Sequence, residues 1–276
     1  MNIDVLVVPY DSAKRSERMG AGPQALIDAG LVARLEGKGH SVRRIVIDPP
    51  VGAWRAEIRT AFDLAAALSE TVGDALSGDR FPLVLSGNCG VAAHGICAAL
   101  GSRTVVLWAD AHGEFNTPDT TVGGFLDGMG LATLTGRCWT SIARRIPGFV
   151  PLDERRIWLV GARDLDPLEA EALEGSGIHR VPAEAIGSSI AESIRTVEPE
   201  SPLYFHLDVD VLDSSEGRAN QFAVAGGASA SQLVELCAAL RSGRPPAAVA
   251  LASYEPEADA DGRARDVVLR AIEALF

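Results

Sequence analysis

Two groups of polar side chains could bind metal ions, and each group follows directly after an apolar run of the sequence. The first group is Asp110, His112 and Glu114, and the second is Asp208 and Asp210. Residues spaced by two lie on the same face of an extended chain. Carboxylate oxygens and imidazole nitrogens are ligands for divalent metal ions. The sequence therefore indicates a metal site assembled from both groups.

The charge of these groups strengthens that interpretation. Buried carboxylates within a few ångströms of one another repel strongly, and each unpaired buried ion costs several kcal/mol. A single Asp-x-Asp pair is more often a solvated turn or a strand-end cap than a metal site. Two such groups after two apolar strands are difficult to explain as ordinary solvent-exposed charges. Two divalent ions that share carboxylates would compensate the charge of the whole set.

The elements that must position these residues alternate between strands and helices almost from end to end. Short apolar runs predict eight strands, namely Ile3–Val8, Ser41–Ile47, Phe81–Leu85, Thr104–Ala109, Arg156–Val160, Ile178–Val181, Leu203–Val209 and Ala247–Ser253. Amphipathic stretches predict helices over Pro23–Leu35, Glu57–Leu76, Ser229–Leu240 and Arg263–Leu275. This alternation predicts one α/β domain over residues 1–276, a three-layer α/β/α sandwich with a mostly parallel sheet of about eight strands. Ligands of such sheets bind beyond the carboxyl ends of the strands.

Two further strand ends add candidate residues. Cys89 follows the predicted strand Phe81–Leu85 and is either a small buried apolar residue or a thiolate ligand of the same metal site. Glu255 follows the last predicted strand and is either an ordinary strand-end charge or a carboxylate facing the same opening. His206 lies two residues before Asp208, and we expect it to be a structural histidine deeper in the sheet.

The composition excludes several classes of protein. The 276 residues include 25 Lys and Arg against 37 Asp and Glu, a net charge of -12, and lack a basic run for nucleic-acid binding. No apolar stretch reaches the roughly 20 residues that cross a bilayer, and the first residues do not read as a signal peptide. The four cysteines are widely spaced and include no CxxC pair, so we expect reduced thiols and no disulfide framework. We therefore expect a soluble, cytoplasmic protein with no nucleic-acid or membrane partner.

Several segments occur together in one known family. They are Gly20–Pro23, Ser86–Gly90, Asp110–Pro118, Gly161–Asp166, Asp208–Asp213 and Tyr254–Pro256. In these segments, and in their order over essentially the full length, the chain resembles the ureohydrolase family, which includes arginase, agmatinase and formiminoglutamase. The resemblance implies an arginase-like fold, hydrolysis of a linear amidine C–N bond in a small guanidino amino acid, and a cofactor of two Mn²⁺ per chain.

The resemblance also implies a ligand set for the two ions. Its members are Cys89, Asp110, His112, Glu114, Asp208 and Asp210. Asp110 and Asp208 would bridge both ions, and His112 and Asp210 would complete the shell of the second ion. Cys89 and Glu114 would complete the shell of the first ion.

Both residues of the first ion depart from the family pattern. The family usually has aspartate where Glu114 stands and histidine where Cys89 stands. Glutamate is one methylene longer but chemically equivalent. A soft thiolate in an oxygen-rich site is a larger change, because it adds negative charge and makes Zn²⁺ or Fe²⁺ conceivable alternatives to Mn²⁺.

The resemblance implies roles for five residues near the ions. Asn116 and Thr121 match positions that hold the α-carboxylate of an amino acid, and Asp166 matches one that contacts its α-amino group. Glu255 matches the carboxylate that pairs with the guanidino group, whose planar fork suits bidentate pairing. Asp127 stands where arginase-like members have a proton-shuttling histidine. A positioned general acid or base is typically worth ~10²–10⁴-fold in rate.

The departures at Cys89 and Asp127 indicate a substrate other than arginine. The oxygen of N-omega-hydroxy-L-arginine withdraws electrons, so its guanidino group loses a proton more easily, and an aspartate can accept a hydrogen bond from the N–OH group. We expect hydrolysis to hydroxyurea and L-ornithine, as in similar family members of D-cycloserine (antibiotic) biosynthesis. Two alternatives remain. One is another amidine hydrolase of the arginase, agmatinase or formiminoglutamase type, and the other is a non-catalytic metal-binding paralogue. Because no tail follows the last predicted helix, we expect a monomer.

Overall fold

The computed structural model describes residues 1–52 and 56–276, and eight of its strands form one sheet in which every pairing is parallel. The strands of the chain are β1 (Asn2–Val8), β2 (Tyr10–Asp11), β3 (Lys14–Arg15), β4 (Ser41–Val46), β5 (Phe81–Ser86), β6 (Val105–Ala109), β7 (Ile157–Val160), β8 (His179–Val181), β9 (Leu203–Asp208) and β10 (Ala248–Ala252). The large sheet has the order β4-β1-β5-β10-β9-β6-β7-β8, and β2 and β3 form a small antiparallel ribbon. The predicted parallel α/β architecture is confirmed.

Helices cover both faces of the sheet. They are α1 (Gly22–Asp28), α2 (Leu31–Gly37), α3 (Glu57–Ser77), α4 (Cys89–Leu100), α5 (Gly130–Leu134), α6 (Thr140–Ala143), α7 (Pro167–Glu174), α8 (Ser188–Arg195), α9 (Ala230–Gly243) and α10 (Arg263–Leu275). The prediction of one helix over Pro23–Leu35 is wrong, because Gly30 adopts a positive φ of 95° that ends α1 and starts α2. No helix among the described residues is long and apolar enough to cross a membrane.

Alternation along the strands produces the three layers. In β1, Val5 and Val7 belong to an apolar core that also contains residues of α1, α2, α8, α9 and α10. Leu6 and Val8 point to the opposite face and join a second core, which contains residues of α3 to α7. Successive side chains of a strand face opposite sides, so one buried strand supplies both cores.

The register of the central strands brings the polar segments to one edge. Ser86 at the end of β5 and Asp208 at the end of β9 both pair with Ala252 of β10. Leu207 pairs with Ala109, the last residue of β6, so the next residue, Asp110, lies level with Asp208. The carboxyl ends of four neighbouring strands therefore meet at one place, which is where the predicted metal-binding side chains lie.

Two glycines let the N-terminal segment pack directly against these strand ends. A side-chain carbon at Gly22 would lie 2.0 Å from the carbonyl oxygen of Tyr254, and one at Gly87 would lie 2.3 Å from that of Tyr10. Only a residue without Cβ permits such close approach of two backbones. The contact at Gly22 holds the start of α1 against the segment that carries Glu255.

We expect Gly22→Ala to lower the thermal unfolding temperature, because the added methyl group must displace the backbone at Tyr254. Overpacking of this kind typically costs about 1–3 kcal/mol. Gly37→Ala is the matched control, since nothing lies within 4 Å of the place its side chain would take; it should leave the unfolding temperature unchanged or slightly higher. Scanning calorimetry measures both variants, and a Gly22→Ala protein as stable as wild type would contradict the packing described.

Candidate metal centre and substrate cavity

A compact cluster of side chains lies beyond the ends of β5, β9 and β6. The side chains form two sets of potential metal ligands, and within each set the ligand atoms lie within 4.8 Å of one another. One set is Cys89, Asp110, His206 and Asp208. The other set is Asp110, His112 and Glu114. The Sγ atom of Cys89 lies 2.9 Å from Oδ2 of Asp208. Oδ2 of Asp210 lies 3.4 Å from Nδ1 of His112. The structure thus brings all six predicted ligand residues together, and Asp110 is common to both sets.

Hydrogen bonds fix the orientation of the central carboxylates. Nε1 of Trp108 donates to Oδ2 of Asp110 at 2.9 Å, and the backbone N–H of His112 donates to Oδ1 at 2.8 Å. The backbone N–H of Asp210 donates to Oδ1 of Asp208 at 2.8 Å. Partners of this kind hold ligating carboxylates in place before a metal arrives.

Burial makes this collection of charges unfavourable without a cation. Asp110 is 0%, Asp208 3% and Glu114 7% exposed. Burial and the neighbouring carboxylates raise the pKa of all three above its ordinary value. Burial would lower the pKa of His112, but the charges of Asp210 and Asp110 outweigh it and raise this pKa to about 10. Oε2 of Glu114 is buried and has no hydrogen-bond partner. These oxygen and nitrogen atoms fit divalent cations.

Cys89 is a buried part of the cluster and not a residue of the apolar core alone. Its Sγ atom contacts Ser253 Oγ at 3.2 Å as well as Asp208. Burial and the charge of Asp208 raise the pKa of its thiol well above the usual range. A bound cation reverses this effect, because a coordinated thiol is deprotonated.

A cavity of about 280 Å³ opens from the cluster to the surface. Asn116, Thr121 and Asp166 line it together with His112. Nδ2 of Asn116 donates to Oδ2 of Asp166 at 3.0 Å, and Oγ1 of Thr121 accepts the backbone N–H of Gly124 at 3.0 Å. The three predicted substrate contacts therefore share one cavity, whose size suits a small molecule.

Asp127 lines the same cavity and also binds the backbone next to the metal ligands. Its Oδ2 accepts the N–H of Cys89 at 2.8 Å and Nδ2 of Asn88 at 3.0 Å, and its Oδ1 accepts the N–H of Gly90 at 2.7 Å. Burial raises the pKa of this carboxyl to about 7, although the three hydrogen bonds oppose the shift. Its carboxylate thus caps the N-terminus of α4, where negative charge is favourable.

Glu255 is not one of the residues that line the cavity. It is buried, and its Oε2 accepts the backbone N–H of Gln221 at 3.1 Å. Its own N–H donates to the carbonyl of Ala219 at 2.8 Å. These two bonds position the loop between Ala219 and Gln221. Glu255 therefore shapes the cavity through this loop.

Two buried side chains that the sequence reasoning did not single out support the site. Nδ2 of Asn220 donates to Oδ2 of Asp210 at 3.0 Å and to the carbonyl of Ser253 at 2.9 Å. Oε1 of Glu169 accepts the N–H of Phe115 at 2.8 Å. Asn220 lies in an irregular stretch without periodicity. Glu169 belongs to a helix start that looks like an ordinary capping box.

An aromatic pair lies at the opening of the cavity, and the sequence patterns did not indicate it either. Phe125 and Phe222 stack with ring centroids 5.7 Å apart, and both line the cavity. The guanidinium of Arg18 lies 5.7 Å from the centre of the Phe222 ring. The two phenylalanines come from different loops, so no local sequence signal joins them.

Comparisons with known proteins agree with this geometry. A sequence model of the arginase family matches the chain over residues 1–276. An N(omega)-hydroxy-L-arginine amidinohydrolase from Streptomyces lavendulae is 31% identical over 216 residues, which cover 76% of this chain and 74% of that protein. An arginase from Brevibacillus brevis is 29% identical over 245 residues, covering 83% and 82%.

Solved structures show the same architecture. The native arginase of Bacillus caldovelox superposes with a TM-score of 0.89 at 25% identity, covering 100% of this chain and 98% of that chain. Fold and site together define an amidinohydrolase of the arginase type. The chain belongs to the arginase family.

We expect Asp127→His to lower the unfolding temperature, because an imidazole cannot accept the three N–H groups that the carboxylate accepts. Each buried donor left without a partner costs about 1–3 kcal/mol. Asp119→His, at an exposed position of the same loop, is the control and should unfold like wild type. Equal unfolding temperatures for all three proteins in circular dichroism would show that Asp127 does not anchor α4.

Proposed function

We propose that this amidinohydrolase hydrolyses N-omega-hydroxy-L-arginine to hydroxyurea and L-ornithine, with two Mn²⁺ as cofactor, in antibiotic biosynthesis of the D-cycloserine type. The observation that carries the proposal is the position of Asp127, which lines the substrate cavity and also holds the backbone of Cys89. The relative with 31% identity is an N(omega)-hydroxy-L-arginine amidinohydrolase, which supports the same substrate.

The two ions would be held by the clustered side chains at the strand ends. These are Cys89, Asp110, His112, Glu114, Asp208 and Asp210. When bound, the ions would lower the pKa of a water molecule and stabilise the negative charge on the oxygen that attacks the guanidino carbon. The thiolate of Cys89 adds negative charge to this set, so we expect the ion beside it to be the weaker Lewis acid.

The reaction exchanges one bond at the guanidino carbon. Water adds its oxygen to this carbon, the bond from the carbon to Nδ breaks, and a proton passes to Nδ, which leaves as the amine of L-ornithine. Asp127 would accept a hydrogen bond from the N–OH group of the substrate. Its two oxygens already accept three N–H groups, and a carboxylate has lone pairs for a further donor.

The amino-acid end of the substrate would lie among the polar residues of the outer cavity. Asp166 would accept the α-amino group, and Asn116 and Thr121 would contact the α-carboxylate. The hydrogen bond from Asn116 to Asp166 already holds two of these side chains in contact. Glu255 does not line the cavity, so its pairing with the guanidino group would require a rearrangement of the loop that it holds at Gln221.

The proposal includes a cytoplasmic, monomeric enzyme. The cysteines of the described chain are free and buried, which agrees with a reducing compartment. Light scattering coupled to gel filtration measures the mass of the particle in solution. A mass close to 29.0 kDa would agree with a monomer.

A substrate panel tests the proposed reaction. Enzyme loaded with Mn²⁺ is incubated with N-omega-hydroxy-L-arginine, L-arginine or agmatine, and the release of hydroxyurea or urea is measured. We expect kcat/KM for the hydroxylated substrate to exceed that for arginine by about 10²-fold or more, because neither substrate has a histidine general acid or base and only the hydroxylated one gains the N–OH contact to Asp127. Agmatine should be the poorest substrate, because it lacks the α-carboxylate.

Faster turnover of arginine than of its hydroxylated form would refute the proposed substrate. Comparable turnover of agmatine would show that Asn116, Thr121 and Asp166 do not recognise an amino acid. A protein that binds two ions but hydrolyses none of the three compounds would be a metal-binding paralogue without this activity.

A further inference from the structure

The buried His206 occupies a place in the metal cluster that the ligand set above does not use. It lies in β9 two residues before Asp208, so both side chains face the same side of the sheet. Its ring is 0% exposed and stacks on Trp108, with centroids 3.9 Å apart. Trp108 donates to Asp110, and a ring nitrogen of His206 lies within 4.8 Å of carboxylate oxygens of both Asp110 and Asp208.

The two ring nitrogens of His206 have different surroundings. Nδ1 lies 2.6 Å from the hydroxyl oxygen of Tyr204. Nε2 is buried and has no hydrogen-bond partner, one of few such atoms among the residues that the structure describes. Leaving a buried polar group without a partner costs about 1–3 kcal/mol, so an orphaned nitrogen in a well-packed site calls for a missing partner.

The distances among the side chains around His206 fit one metal ion. Ligand atoms of Cys89, Asp110, His206 and Asp208 all lie within 4.8 Å of one another. Ligands that bind one ion at about 2.0–2.3 Å are separated by at most about 4.6 Å. A small inward movement therefore places all four atoms around a common centre.

The hydrogen bond to Tyr204 suits a metal-binding imidazole. A ligating histidine almost always donates its other ring N–H to an acceptor, which fixes the tautomer. If Nδ1–H donates to the hydroxyl oxygen of Tyr204, Nε2 carries no proton and its lone pair is free to bind a metal ion. Phenylalanine at position 204 would leave that N–H without an acceptor.

We propose that Nε2 of His206 binds the first metal ion, in addition to Cys89, Asp110, Glu114 and Asp208. This inference rests on the metal centre of the proposed function and adds an imidazole to it. The first ion then has sulfur, nitrogen and oxygen donors, whereas the second has one imidazole, His112, and carboxylates.

The test is a titration of the metal-free protein with Co²⁺, followed by absorption. A band from thiolate to Co²⁺ charge transfer reports the first ion, because among the described residues only Cys89 brings a thiol into the cluster. His206→Phe keeps an aromatic ring beside Trp108 but removes the nitrogen. We expect it to weaken Co²⁺ binding at the charge-transfer site by at least about 10–100-fold, the range found when metal-site hydrogen-bond partners are removed. After dialysis, elemental analysis should find one ion per chain.

His94→Phe is the matched control. His94 is also buried and stacked on an aromatic ring, Phe62, but its Nε2 contacts the carbonyl of Gly130 and it is not in the cluster. It should retain the charge-transfer band and two ions per chain. Tyr204→Phe should weaken binding less than His206→Phe does. Far-UV circular dichroism verifies that each variant is folded.

Unchanged Co²⁺ affinity and two ions per chain in folded His206→Phe would overturn the inference while leaving the proposed reaction intact. If that variant does not fold, the anomalous difference map of wild-type crystals grown with Mn²⁺ decides. An ion about 2.0–2.3 Å from Nε2 supports ligation, and one beyond hydrogen-bond distance overturns it. Wild-type protein that binds no ion would instead refute the metal centre, and preference for arginine would refute only the substrate.

Discussion

Repulsion between buried carboxylates is the interaction on which the rest of this site depends. Asp110, Asp208 and Glu114 are almost fully buried and lie at neighbouring strand ends. Backbone N–H groups and the indole of Trp108 offset part of their charge, but an oxygen of Glu114 stays without a partner. Two divalent ions would offset the remainder and would supply the electrophile for hydrolysis. The buried carboxylates that are unfavourable without ions are thus the same groups that would hold the ions needed for hydrolysis.

Two side chains link this charged centre to the substrate cavity. Asp127 holds the backbone around Cys89, so a residue of the cavity wall and a metal ligand belong to one hydrogen-bonded unit. The guanidinium of Arg163 donates to the carbonyls of Asp210, Val224 and Ala225, which fastens the loop of Asn220 and Phe222 to the metal side of the site. A change at Asp127 therefore affects the metal shell and the substrate wall together.

Much of the fold was predictable, because strands buried on both faces are continuous apolar runs. All eight predicted strands of the large sheet agree with the structure within one residue at each end. The helix α4 was missed because its residues are buried all round and show no amphipathic period. The positions of the candidate metal ligands followed from their places after strands, since parallel strands end at one edge. The capping role of Asp127, the orphaned nitrogen of His206 and the pairing of Phe125 with Phe222 depend on distant loops and could not be read from local sequence.

Metal content and thermal unfolding, measured before and after exhaustive chelation, test whether bound cations compensate the buried carboxylates. We expect about two divalent ions per chain in purified protein. Their removal should lower the unfolding temperature and abolish hydrolysis, and Mn²⁺ should restore both. A ligand at 1,000 times its Kd stabilises the folded state by about 4.1 kcal/mol per site, so the shift should be large. Protein that holds no ion, or that keeps its unfolding temperature and activity after chelation, would contradict the claim that buried carboxylates are compensated by bound cations.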